Sequence, residues 1–153
     1  MTDIRLATPS DRAVILSIGE SCGLFSPEEI GFFTDDLDSW SPGSDDPRMW
    51  FLANDGEAAA QIAPEPMSDA VWNLLFIATR PAARRTGCAK ALIRTVEKTV
   101  RAQGGRLLLI DTASMEDQAP ARAAYLAAGY DREAVIRDYY GDGVDRVTFR
   151  KRL

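Results

Sequence analysis

Histidine is absent from all 153 residues. Its absence removes the Ser–His and Cys–His nucleophile pairs and most zinc sites. A general base must then be a carboxylate, a Tyr, a Lys, a terminal amine or a relayed water. Only two cysteines occur, Cys22 and Cys88, far apart and without metal-type spacing. Two free thiols in a reducing compartment are therefore expected. No apolar run is long enough to span a bilayer. The start, Met1-Thr2-Asp3-Ile4-Arg5, lacks the charged-then-apolar layout of a signal peptide, so the expected location is cytoplasmic, with no membrane partner. Positive charge is not in surplus either. The net charge of −5 argues against a nucleic-acid partner. There is no Gly-x-Gly-x-x-Gly for a dinucleotide, and no second Gly before Lys90 as a Walker-type loop needs. Internal repeats, low-complexity tracts and linkers are missing too, so one domain over residues 1–153 is expected.

What is present centres on one turn. The apolar run Val71 to Thr79 reads as a buried strand, and Ala91 to Val100 reads as a helix. Between them stands Arg84-Arg85-Thr86-Gly87-Cys88-Ala89-Lys90. The first N–H groups of a helix have no internal partners, and the helix dipole adds partial positive charge there. Gly87 and Ala89 keep the wall low, so a phosphate can approach the backbone. Cys88 at this position has two readings, a thiol activated by the helix terminus or plain filler.

The rest of the chain supplies alternating elements. Ile4 to Ala7 reads as a first strand, and Thr8-Pro9 as a helix start. Ser26 and Glu29 have capping-box spacing at a second helix start. Met49 to Ala53 and Ala58 to Ile62 flank an Asp-Gly turn and read as a hairpin. The two prolines around Glu65 predict an edge or a bend rather than a central strand. After the Arg84 turn, the helix places Leu92, Ile93, Val96 and Val100 on one face and stops at Gly104-Gly105. Leu107 to Thr112 reads as a buried strand, Pro120 to Ala128 as a short helix, and Tyr130 to Tyr139 with Val144 to Arg150 as a closing hairpin.

This α/β order, together with the turn, resembles the GNAT superfamily of N-acetyltransferases. Arg84-Arg85-Thr86-Gly87-Cys88-Ala89 fits that family's Arg/Gln-x-x-Gly-x-Gly/Ala signature in full. Gln118 to Tyr130 is similar to its Asn-x-x-Ala-x-x-x-Tyr-x-x-x-Gly-Phe motif, with Ala121, Tyr125 and Gly129 in place. Gln118 stands for Asn and Tyr130 for Phe. The Tyr139-Tyr140-Gly141 stretch also looks like the end of many members. The resemblance implies a mixed, mostly antiparallel central sheet flanked by helices and splayed between its fourth and fifth strands. It implies acetyl-CoA as cofactor, its pyrophosphate on the backbone N–H groups from Arg85 through Lys90 with Arg84 also in contact, and its pantetheine arm along Ile77, Ala78 and Thr79. Gln118 would lie near the same cofactor, and Tyr125 would be both cofactor contact and general acid. The reaction implied is acetyl transfer to a primary amine of a small molecule or peptide by direct attack.

The general base stays open among Glu65, Asp111, Glu116, Asp117 and a water chain, with Glu65 the first to try. Acceptor contacts are expected from Trp72, Asn73, Asp111, Tyr139 and Tyr140. Further aromatic residues, Phe25, Phe32, Phe33, Trp40 and Trp50, divide between pocket and core. A non-catalytic acyl-CoA sensor of the same fold is the rival reading, and self-association into a homodimer stays open.

Overall fold

The computed structural model describes all 153 residues. Seven strands form one sheet in the order β1-β2-β3-β4-β5-β7-β6. They are β1 (Ile4–Leu6), β2 (Met49–Ala53), β3 (Ala58–Pro64), β4 (Val71–Thr79), β5 (Leu107–Ala113), β6 (Asp131–Gly141) and β7 (Val144–Arg152). Every neighbouring pair is antiparallel except β4 and β5. Four helices complete the chain: α1 (Arg12–Ser21), α2 (Pro27–Ser39), α3 (Cys88–Ala102) and α4 (Ala119–Ala127). No helix is long and apolar enough to cross a membrane.

Alternation along the strands sorts the core into two layers. Phe51, Ala60, Ile62, Trp72, Leu74, Leu108 and Ile110 pack with Leu92, Ile93, Val96 and Val100 of α3 and with Tyr125 of α4. On the opposite face Trp50, Leu52, Ala59 and Ala78 meet Ile15 and Ile18 of α1 and Phe33 and Leu37 of α2. A Cβ on Gly19 would stand 2.6 Å from the Phe33 ring, so glycine there permits the close approach of α1 and α2. The capping box at Ser26 and Glu29 forms as the spacing predicts. An ion pair joins α3 to β7: Lys151 Nζ lies 2.8 Å from Glu97 and also donates to the Ala128 carbonyl that ends α4.

Three boundaries differ from expectation. The turn after Thr8-Pro9 is a single 3-10 turn, and regular helix begins only at Arg12. Pro64 closes β3 instead of interrupting it. It pairs with Trp72 on β4, while pairing with β2 has already ended at Met49–Ile62, so its missing N–H deprives no partner. The closing hairpin is longer than expected at two places: β6 runs on to Gly141, paired with Val144 at the turn, and β7 runs on to Arg152, where its last residues pair with Leu107 and Leu108 of β5.

Arg48 ties the end of α2 to the start of β2. Its guanidinium meets Asp46 at 2.7 Å and Asp36 at 2.8 Å, and its carbonyl accepts the Trp40 indole N–H. Arg48 holds the Asp46 carboxyl well below the usual carboxylate range. The folded state therefore takes up the Asp46 proton less readily than the unfolded chain does. The resulting stability is complete above the unfolded value of about 3.9 and is lost as pH falls below it. Asp46→Asn is expected to lower stability by about 2 kcal/mol at neutral pH, with the difference shrinking under acid conditions. Urea denaturation at several pH values checks this, and a pH-independent difference would refute the ion-pair account.

Candidate active site

Two features of β4 create an opening in the sheet. The first is a bulge. Ile62 pairs with Leu74 but its neighbour Gln61 pairs with Phe76, so Leu75 is an extra residue with no partner on β3. The second is a fork. The parallel ladder between β4 and β5 runs from Val71–Leu107 to Leu74–Ile110 and then stops. Both strands continue, β4 paired with β3 as far as Thr79 and β5 paired with β7 as far as Ala113. The edge of β4 from Leu75 through Ile77, Ala78 and Thr79 thus faces β5 without a strand partner. Ala78 turns its side chain into the α1/α2 layer, and the Thr79 carbonyl accepts from the Cys22 thiol at 3.3 Å.

β4 leads directly into the basic turn. A short 3-10 turn, Pro81–Ala83, is followed by Arg84, and Thr86 Oγ1 donates back to the Ala83 carbonyl. Arg85 and Gly87 both have positive φ, +63° and +88°. A Cβ on Gly87 would meet nothing within 4 Å, so this glycine answers the backbone conformation rather than any crowding within the protein. The N–H groups of Arg85, Thr86, Gly87, Cys88, Ala89 and Lys90 find no acceptor in the protein. They cluster at the positive end of α3, and Arg84, Arg85 and Lys90 lie exposed around them. This cradle of unpaired donors suits an anion, and a pyrophosphate fits its donor set. Cys88 itself points inward. Its side chain is buried in the α3 core with Sγ 3.3 Å from Thr86 Oγ1, which makes it filler and leaves only its N–H for the cradle.

A polar network crosses the fork at its closed end. Asn73 Nδ2 donates to Glu65 at 2.7 Å and to Asp111 at 3.2 Å. Asp111 accepts from Thr148 Oγ1 at 2.7 Å and pairs with Arg146 at 3.2 Å. The Arg146 guanidinium lies 4.9 Å from the centre of the Tyr139 ring, which stands edge-on to Tyr140. Burial, reinforced by the Asp111 carboxylate, pushes the Tyr140 hydroxyl up. Glu65, Asn73, Asp111, Tyr139 and Tyr140, separated by long stretches of sequence, thus form one cluster. With both carboxylates on its amide nitrogen, Asn73 keeps a buried Oδ1 with no donor.

Other expected residues fall elsewhere. Trp72 is on the opposite face, buried against α3 where a Cβ on Gly105 would meet it at 2.8 Å. It is core, and the reason is the alternation of β4, which sends Trp72 and Asn73 to opposite sides. Trp40 and Trp50 are core as well. Glu116 and Asp117 are exposed on the turn before α4 and make no bond to the network. Gln118 ends that turn at the N-cap position of α4, half-buried, with its side chain free of hydrogen bonds. Tyr125 sits on α4 with its ring edge-on to Phe149 at 5.4 Å and to Tyr130 at 6.4 Å. Burial pushes its hydroxyl up to about 12.

Beside the bulge, on the α1/α2 face, lies a cavity of about 330 Å³. Phe25, Phe32, Phe33, Leu75 and Phe76 make its apolar wall. Gln61, Asp36 and Glu29 are its polar members, and no Lys or Arg lines it. Sequence reasoning overlooked Gln61, Glu29, Arg146 and Thr148. The alternation of β7 does put Arg146 and Thr148 on one face, but only the β5–β7 register brings that face to Asp111.

Comparison with known proteins agrees with this geometry. Residues 19–130 match the profile of the acetyltransferase (GNAT) family. The chain belongs to that family of acetyltransferases, whose members use acetyl-CoA. A crystal structure from Desulfovibrio desulfuricans, of a protein assigned to the same family, superposes with a TM-score of 0.91 at 29% identity over 99% of both chains. The Escherichia coli ribosomal-protein-S18-alanine N-acetyltransferase gives 0.77 at 19% identity, covering 99% of this chain and 94% of the other. An aminoglycoside 6'-N-acetyltransferase crystallised with coenzyme A gives 0.79 at 15% identity, over 98% and 96%. Likeness at the level of the last two shows the fold alone. No curated protein matches the chain by sequence.

Asp111 is the hub of the polar network, since Asn73, Thr148 and Arg146 all converge on it. Asp111→Ala is expected to destabilise the fold by about 2 kcal/mol, because it strands a half-buried guanidinium and two donors. Thermal or chemical denaturation measures this, and an unchanged midpoint would show that the network is not structural.

Proposed function

We propose that this chain transfers an acetyl group from acetyl-CoA to a primary amine of a small molecule or peptide by direct attack. The observation that carries the reading is the fork, which exposes one edge of β4 immediately before a turn full of unpaired N–H groups. The N–H groups of Arg85 through Lys90 are suited to the pyrophosphate, with Arg84 as a flanking charge. The open edge from Ile77 to Thr79 is suited to an extended amide-bearing arm, as a peptide adds to a sheet. Bound there, acetyl-CoA would supply an acetyl thioester, whose carbon forms a bond to the amine nitrogen as its bond to sulfur breaks.

The residues of the chain divide the proton work. Both Asp111 oxygens are engaged, one by Thr148 and Arg146 and the other by Asn73, and its charge is balanced by Arg146. Glu65 is different. Asn73 fixes its Oε1, and its Oε2 has no partner in the protein. Glu65 is therefore the base that takes the amine proton, and Asn73 is its positioning residue. Tyr125 holds its proton throughout the working range, because burial keeps the hydroxyl near 12. It is suited to giving that proton to the leaving thiolate. Tyr139 and Tyr140 border the amine, and Gln118 borders the cofactor.

Calorimetric titration with acetyl-CoA is expected to show binding, and Gly87→Val to weaken it by about tenfold through the strained φ. No heat at a millimolar cofactor concentration would sink the cofactor reading. Thiol release across an amine panel then separates an enzyme from an acyl-CoA sensor. Glu65→Gln is expected to lower kcat by about a hundredfold, and an unchanged kcat would remove Glu65 as the base. Tyr125→Phe should lower kcat by at least about tenfold, and no falling limb from Tyr125 should appear below about pH 11. An unchanged kcat in Tyr125→Phe would remove the general acid.

A further inference from the structure

The cavity beside the bulge specifies more than an amine. Its aromatic wall is an ordered stack. Phe25 and Phe33 lie 4.9 Å apart and nearly parallel, and Phe33 and Phe76 lie 5.1 Å apart at 26°. Phe32 and Leu75 complete the rim, yet they are 75% and 51% exposed. Two large apolar side chains held in water at the mouth of an aromatic cavity gain by covering. Leu75 is also the bulge residue where the β4–β5 ladder has just ended, so the cavity and the fork share a wall.

The polar members are equally selective. Asp36 is already bound on both oxygens, one by Arg48 and the other by the Gln61 amide nitrogen. That bond fixes the amide orientation and leaves Gln61 Oε1, on a side chain 5% exposed, as an acceptor without a partner. Glu29 gives one oxygen to its own helix cap at Ser26 and has the other free. The cavity therefore offers an aromatic surface, two acceptors, negative charge and no side-chain cation. A polyhydroxylated molecule would lose its water here against only those two partners. A protonated amine on an aromatic body would satisfy all of them.

We propose that this cavity selects the acceptor, and that the acceptor class is a primary arylalkylamine. Its ring extends the Phe25–Phe33–Phe76 stack under Phe32, and its ammonium meets the acceptors Gln61 Oε1 and Glu29. The volume of about 330 Å³ suits a one-ring body. The inference rests on the transfer reading above for its biological meaning, but its test reads binding alone.

The probes are phenethylamine, its neutral analogue phenethyl alcohol, and spermidine, titrated into the protein with and without CoA. Phenethylamine is expected to bind at least about tenfold tighter than spermidine. Phe32→Ala, at an exposed position where folding is not at risk, should weaken phenethylamine by about tenfold and leave spermidine unchanged. Glu29→Gln keeps the helix cap and should narrow the gap between phenethylamine and phenethyl alcohol. Equal binding of all three probes, or indifference to Phe32→Ala, would overturn the inference. Acetylation of spermidine without binding of phenethylamine would overturn it while leaving the transfer reading intact. Binding of phenethylamine by this pattern without any thiol release would support the pocket and sink the transfer reading instead.

Discussion

Between Leu74 and Ile110 the hydrogen-bonded ladder of β4 and β5 ends although both strands go on. A sheet interior rarely leaves such an edge open, because unpaired backbone groups must be satisfied by something. Here each strand keeps its outer partner, so the sheet stays intact on both flanks while a wedge opens between them. The Leu75 bulge adds local twist at the same place. The wedge and the aromatic cavity beside Leu75 both depend on these two irregularities of β4, and the wedge opens toward the turn beyond Thr79.

An open fork needs a brace, and the molecule has one on each face. On one face Asn73 bridges Glu65 and Asp111, and Arg146 and Thr148 anchor Asp111 to β7. On the other, Lys151 of β7 joins Glu97 of α3 and the Ala128 carbonyl just past α4. A half-buried pair of this kind adds little net stability, since desolvation offsets attraction. Its geometric effect is larger. It fixes α3, and with it the cradle, relative to the β7 side of the wedge. The position of the cradle is thus tied to both strands that the wedge separates.

The turn of unpaired N–H groups was legible in the sequence because it is local. Strand, turn and helix start follow one another within Val71 to Val100, and backbone N–H groups at a helix terminus need no distant partner. The carboxylate cluster was partly legible: Glu65, Asn73 and Asp111 could be placed near strand ends, but not assigned separate roles. Those roles depend on Arg146 and Thr148, which reach Asp111 only through the β5–β7 register. Trp72 shows the limit from the other side. In a run of nine residues with apolar side chains on both faces, composition cannot say which face meets the cavity, and the bulge at Leu75 then shifts the alternation for every residue after it.

That shift explains why the aromatic cavity was out of reach of sequence reasoning. Without a bulge, strict alternation would put Leu75 on the face of Asn73 and send Phe76 with Leu74 into the α3 layer. The extra residue instead turns Phe76 to the α2 side, where it stacks on Phe33, and leaves Leu75 at the opening. One inserted backbone unit therefore converts a core position into a cavity wall. It also carries Gln61 opposite Phe76, where Asp36 of α2 can orient its amide. The lining of this cavity is set by where a strand breaks its own period, and this is a property of pairing between strands rather than of any stretch of chain read alone.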